Sequence, residues 1–305
     1  MSRNEIIKSE LVEVGALLRA LRKKKKIKQT ELFSGLCTKE VFARIEKGKG
    51  MPNELLVERL FSRVHFQYRL LERTLSDQDF FRKELRFSLE RCIELQQWDE
   101  AELLLLQYEQ NVEMDVLERQ YVFWKRGQLL ESAQTEQAGK WYREAFLLTM
   151  EEPENKVISE EELDMYLGYR RCLQPMQRQE MEEMLQWIEK FMFSGQIYPN
   201  CYFKTGYQLA ETLFFEGKYT EAEKRCESCL CALNKGSKEF LMTAFLFLKA
   251  KCAAKSDTKC KEEIYRDFLT SYYVGKAIGE EKLAETVEKY CEEELGWRII
   301  NAVKF

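Results

Sequence analysis

The chain has 305 residues, 45% of them apolar and 33% charged, with only 4 Pro and 14 Gly. That mix favours helix and leaves too few breaks for a sandwich or barrel of short strands, and no apolar run reaches the roughly 18–20 residues of a membrane span. Charge divides unevenly: residues 1–66 carry a net +7 and the remainder −11, so a polyanion partner is expected for the head alone.

At the start of the chain, Arg3, Glu5, Lys8 and Glu10 interrupt the apolar residues, which is not a signal-peptide pattern. The 10 Cys are scattered and sit mostly in helical context, so they read as reduced thiols of a cytoplasmic protein. Residues 5–26 predict one long helix, with Leu11, Val14, Leu18 and Leu21 at helical spacing. It ends in Arg22-Lys23-Lys24-Lys25-Lys26, followed by Lys28. Such a run can simply favour the negative end of a helix. Beside residues 29–48 it reads instead as a row of phosphate contacts.

Residues 29–35 and 39–46 predict two short helices joined by a tight turn. Leu32, Phe33 and Leu36 line one face of the first, and Phe42 and Ile45 one face of the second. Thr38 is placed to cap the second helix and Gly48 to end it. Lys39, Glu40, Ala43 and Arg44 remain outward, short or extended polar groups able to reach base edges in a major groove. Pro52-Asn53 then supplies a stop and an N-cap for a helix buried through Leu56, Leu60 and Phe61.

Leu21-Arg22, Gln29, Leu32, Ile45-Glu46, Gly48 and Pro52 stand at the spacing of the phage-repressor-type (XRE) helix-turn-helix domain, which residues 15–52 resemble. The resemblance implies that Arg22 pairs with Glu46, locking the first helix to the third, and that Gln29 touches the DNA backbone or an edge base. With the outward face it gives the DNA-binding set Gln29, Thr38, Lys39, Glu40, Ala43, Arg44 and Lys47. Two departures stand out. Phe33 replaces the usual Ala, and Gly35-Leu36-Cys37 replaces the usual turn. The second variant is similar to that of RNPP-type peptide-sensing regulators, in which a helical repeat domain follows the head.

Residues 66–78 predict a connecting helix, with Ser76 or Asp77 capping the next. Beyond Phe80, helical pairs recur every 34–40 residues or so. The clearest is 203–234, where Ala210, Gly217, Tyr219 and Ala222 resemble the small and aromatic positions of a tetratricopeptide repeat. Gln97–Ala101 resembles the turn of an earlier unit. Gly127, Ala138, Tyr142 and Ala145 mark a second, Gly168 begins a third, 237–275 spans a fifth pair, and 280–294 would cap the end.

Nothing in the pattern supports catalysis. The lone His65 reads as a packed or surface residue. Cys226, Cys229 and Cys231 are close enough for zinc, yet the first two fall at helix-packing positions and no His is near. No phosphate-binding Gly loop or nucleophile arrangement occurs. No cofactor or metal is expected.

In tetratricopeptide-like units the first helices line a groove. The groove positions here include Tyr121, Met165 and the peptide-binding set Trp124, Gln128, Tyr169, Lys204, Tyr207 and Glu211, aromatic bodies with amide or charged tips that suit an extended peptide; core packing is the competing reading for any single aromatic residue among them. The expected fold is all-α: a five-helix helix-turn-helix head over residues 1–66, a connecting helix over 67–78, and a tetratricopeptide-like α-solenoid with a capping helix over 79–305. The expected function is a cytoplasmic, homodimeric transcriptional regulator that binds a double-stranded DNA operator and senses a short peptide, with no membrane partner. An interaction protein whose repeats hold a protein partner without a small effector is the alternative. A repressor with a purely dimerising body is a third reading, against which the length of residues 80–295 argues.

Overall fold

A computed structural model describes residues 3–49, 52–66, 77–131, 133–150, 157–173, 176–191, 200–233, 241–256 and 259–299. Fifteen helices and no strand occur among them. The chain divides into two compact units, Met1–Met176 and Gln177–Phe305.

The first unit opens with α1 (Arg3–Lys24), α2 (Gln29–Phe33), α3 (Lys39–Glu46) and α4 (Glu54–Arg63). The Thr38 hydroxyl accepts from the Val41 N–H at 3.4 Å, and the Asn53 side chain accepts from the Leu55 N–H at 2.8 Å, so both predicted caps form. Gly48 closes α3 with its N–H on the Ile45 carbonyl. The described residues of 1–66 hold four helices, one fewer than expected, and Val14, Leu18, Leu32, Phe42, Ile45, Leu60 and Phe61 share one buried cluster, the amphipathic faces of all four turned inward. The predicted connecting helix falls almost wholly on residues 67–76 and lies outside the described residues.

Three further elements complete this unit: the hairpin α5 (Asp77–Glu94) and α6 (Trp98–Asn111), the hairpin α7 (Val116–Leu130) and α8 (Thr135–Leu147), and α9 (Glu160–Leu173). Tyr142 of α8 explains the close stacking of α7, α8 and α9. A Cβ added at Gly127 or Gly168 would come within 2.9 or 2.7 Å of its ring. The head's core continues without a break into these hairpins, because Leu85, Leu89, Leu105, Tyr108 and Leu117 belong to the same cluster as Leu60 and Phe61.

The second unit comprises α10 (Arg178–Phe191), α11 (Asn200–Phe215), α12 (Tyr219–Leu233), α13 (Met242–Ser256), α14 (Lys261–Ile278) and α15 (Glu281–Leu295), each packed on the next. The predicted unit at 203–234 is α11 and α12, with Ala210 and Ala222 fully buried and Gly217 in the turn between them. The third predicted pair is divided, since α9 belongs to the first unit and α10 to the second.

Candidate nucleic-acid interface

Helix α3 is held from beneath. Arg22, at the end of α1, gives its Nε to Glu46 Oε1 at 2.7 Å and its Nη2 to Oε2 at 3.4 Å, and its Nη1 reaches the Ile27 carbonyl at 3.1 Å. Both partners are buried. A third group completes the clamp: Gln29 Nε2 donates to Glu46 Oε2 at 2.6 Å. One carboxylate thus ties α1, α2 and α3 together, and charge-assisted bonds of this kind are the strong ones. Gln29 keeps its exposed position while one of its two amide N–H donors is engaged by Glu46. Phe33 lies against Phe42, with ring centroids 5.4 Å apart.

Above the clamp, Thr38, Lys39, Glu40, Arg44 and Lys47 are exposed and Ala43 partly so. Lys39, Glu40, Ala43, Arg44 and Lys47 line the face of α3 opposite Phe42 and Ile45, with Thr38 at its N-cap. Glu40 is held below the usual carboxylate range by backbone N–H and Thr38 hydrogen bonds, so it stays an acceptor, the type that pairs with a cytosine amine. Lys23, Lys24, Lys25 and Lys26 are exposed on the adjoining end of α1.

A buried ionic knot fixes the head against the hairpins, and no local sequence signature announces it. Arg63 of α4 meets Glu162 of α9 through two bonds, Nη2 to Oε1 at 2.6 Å and Nε to Oε2 at 3.1 Å. Its Nη1 also donates to the Leu32 and Ser34 carbonyls at the end of α2. Burial pushes the Glu162 carboxyl up, but Arg63, Arg59 and the Ser159 N–H outweigh it and hold the group below its ordinary range. Arg59 adds an ion pair to Glu161 at 2.7 Å. Asn53 Nδ2 donates to Asp115, the N-cap of α7, and to Glu118 within it, at 3.1 and 3.4 Å.

The peptide-binding candidates fall three to each unit. In the first, Trp124 Nε1 and Gln128 Nε2 both donate to Asp164 Oδ2, at 2.9 and 3.3 Å. The buried Lys125 ammonium lies 3.6 Å from the Trp124 ring centre. Tyr169 is partly buried on α9. Tyr121 and Met165 do not line a surface: they are core residues, 2% and 0% exposed. Asp164, which gathers two of the candidates, is the residue the sequence reading missed.

In the second unit, Lys204, Tyr207 and Glu211 share one stripe of α11 and are all partly buried. Tyr207 donates to Glu211, whose carboxyl is raised by burial. The Lys251 ammonium stands 4.8, 5.4 and 5.5 Å from the rings of Phe214, Phe247 and Tyr290. Cys226 and Cys229 are core thiols, both pushed up by burial, Cys229 to about 12.

No protein-family model and no curated protein sequence matches the chain. Solved structures do share its fold. PlcR from Bacillus thuringiensis, in complex with the peptide PapR7 and DNA, superposes with a TM-score of 0.55 at 13% identity, over 90% of this chain and 99% of that one. The apo form of ComR from S. thermophilus gives 0.50 at 15% identity, over 92% and 98%. Apo PlcR gives 0.50 at 12% identity, over 90% and 98%. The chain therefore has the fold of these proteins along nearly its whole length: a helix-turn-helix head followed by helical repeats.

Proposed function

We propose that the chain is a sequence-specific, DNA-binding transcriptional regulator of the cytoplasm, not an enzyme, whose repeats dimerise and sense a short peptide. The observation that carries this reading is the α3 face. Thr38, Lys39, Glu40, Arg44 and Lys47 are presented to solvent on a helix braced by the buried Arg22–Glu46 pair. That is the arrangement a major-groove reader needs. The fold shared with PlcR, which binds both a peptide and DNA in its complex, supports the peptide part. So do the partly buried aromatic and polar side chains of Trp124, Gln128 and Tyr169 in the first unit and, separately, of Lys204, Tyr207 and Glu211 in the second. We further take 1–66 as the DNA-binding region, 67–78 as the connection and 79–305 as the repeat region.

One head reads a half-site, so two copies gain both affinity and specificity. Peptide control requires the ligand to prefer one arrangement of the two heads over another. The test is selection of random duplex DNA by the full chain at physiological salt, with mass spectrometry of small molecules released from natively purified protein. A two-fold-symmetric sequence and a released peptide are expected. DNA bound without sequence preference overturns the regulator reading, and a released stable protein partner in place of a peptide overturns the ligand.

A further inference from the structure

We infer that the outer face of the α5–α6 hairpin is the surface on which two copies of this chain meet. The inference rests on the dimeric reading above and gives it a location. A first repeat normally carries a polar outer face, because no further repeat covers it. Here Phe80 and Phe87 of α5 are 55% and 66% exposed, and Leu103 and Leu106 of α6 are 68% and 43% exposed. The buried row of α5, Leu85, Leu89 and Cys92, lies on the opposite side of the helix. The exposed row runs Phe80, Glu84, Phe87, Arg91 at the spacing of a single helix face. Half of the large apolar side chains exposed among the described residues belong to this one hairpin. Apolar groups gathered in this way mark an interaction site.

The occupant follows from charge. Glu84 and Arg91 are exposed and form no ion pair among the described residues, and they flank Phe87 about one helical turn to either side. When two copies of α5 cross antiparallel about a two-fold axis beside Phe87, each Glu84 faces the other copy's Arg91, and Phe87 meets Phe87. A two-fold interface must be complementary to itself, and this row is. Parallel packing would instead set Glu84 on Glu84 and Arg91 on Arg91.

The experiment is sedimentation velocity of the full chain at micromolar concentration, with circular dichroism to confirm unchanged helix content. The wild-type chain should sediment as a dimer and Phe87→Asp as a monomer. Glu84→Arg and Arg91→Glu should each weaken the dimer by at least about tenfold through like-charge contact. The double variant Glu84→Arg with Arg91→Glu should restore it, since the swapped row is again complementary to itself. Restoration by the double variant does not depend on Phe87→Asp folding. Variants that all dimerise like wild type overturn this surface and leave the dimeric reading standing. A double variant that stays monomeric overturns the antiparallel geometry. A wild-type monomer, with and without duplex DNA, overturns the surface and the dimeric reading together.

Discussion

At the scale of single residues, the two faces of α3 predict separable effects. Arg44 is exposed and outside the clamp, so Arg44→Ala should leave the fold intact and cost about 1–3 kcal/mol of discrimination at one base position. Titration of selected against scrambled duplex at matched salt measures this, and equal losses on both would remove Arg44 from base reading. His65 offers a second experiment, because it is the chain's one histidine. Its Nδ1 is buried without a hydrogen-bond partner among the described residues. Burial first, then Lys25, lower its pKa to about 4. A depressed histidine binds its proton more readily when unfolded, so its contribution is full above about pH 6.5 and drains away toward pH 4. Urea unfolding should show a loss on the order of 1–2 kcal/mol between pH 7 and pH 5, and His65→Asn, which tolerates the backbone φ of 50°, should flatten it. A slope that survives the substitution assigns it elsewhere. Local chemistry explains what was legible here. Thr38 and Asn53 announce themselves as caps by position, whereas the Gln29 bond to Glu46 needs three helices in place before it exists.

At the scale of elements, the knot around Arg63 governs how the head is held. Glu162 is fully buried, and Glu162→Ala would leave the Arg63 guanidinium without its counter-charge. The expected cost is about 3–5 kcal/mol, read by urea unfolding of the full chain. A loss below about 1 kcal/mol would mean that water or a neighbouring carboxylate takes over the pairing. The turn between α2 and α3 belongs to the same junction. Gly35 has a φ of +73°, and a Cβ there would stand 2.2 Å from the Thr149 carbonyl oxygen, so the turn needs glycine both for its backbone and for its neighbour. The helices themselves were readable, because periodicity and caps are local. Arg63 and Glu162 are 99 positions apart, and nothing in either segment says that they meet. The same holds for Asp164 beneath Trp124 and Gln128.

At the scale of the whole molecule, the compact units and the proposed functional regions do not share a boundary, and this has a measurable outcome. The unit Gln177–Phe305 has its own buried cluster, including Phe247, Ala250, Phe268, Ala284 and Val287. Residues 177–305 expressed alone should therefore melt cooperatively with helical circular dichroism. Residues 1–66 alone would expose Arg59 and Arg63 without Glu161 and Glu162, and should melt well below the full chain. A 1–66 fragment as stable as the full chain would show that the knot adds nothing to the head. The all-helical class and the repeat positions were visible from composition and from Ala210, Gly217 and Ala222. The division after Met176 was not, because it follows from which surfaces pack rather than from any change in composition.

The seating of the head on α7 and α9 also bears on the DNA that a pair of such chains would accept. Reading domains hung on flexible tethers can follow half-sites that drift apart, since the tether sets only an effective concentration. A head bolted through Arg63 and Asn53 has no such slack. Selected operators should then show a single spacer length, and moving the half-sites apart by about five base pairs, half a helical turn, should reduce binding to that of an isolated half-site. Gel-shift titration across a series of spacers measures this directly, and a flat response across the series would mean that the heads let go of the hairpins when they engage DNA.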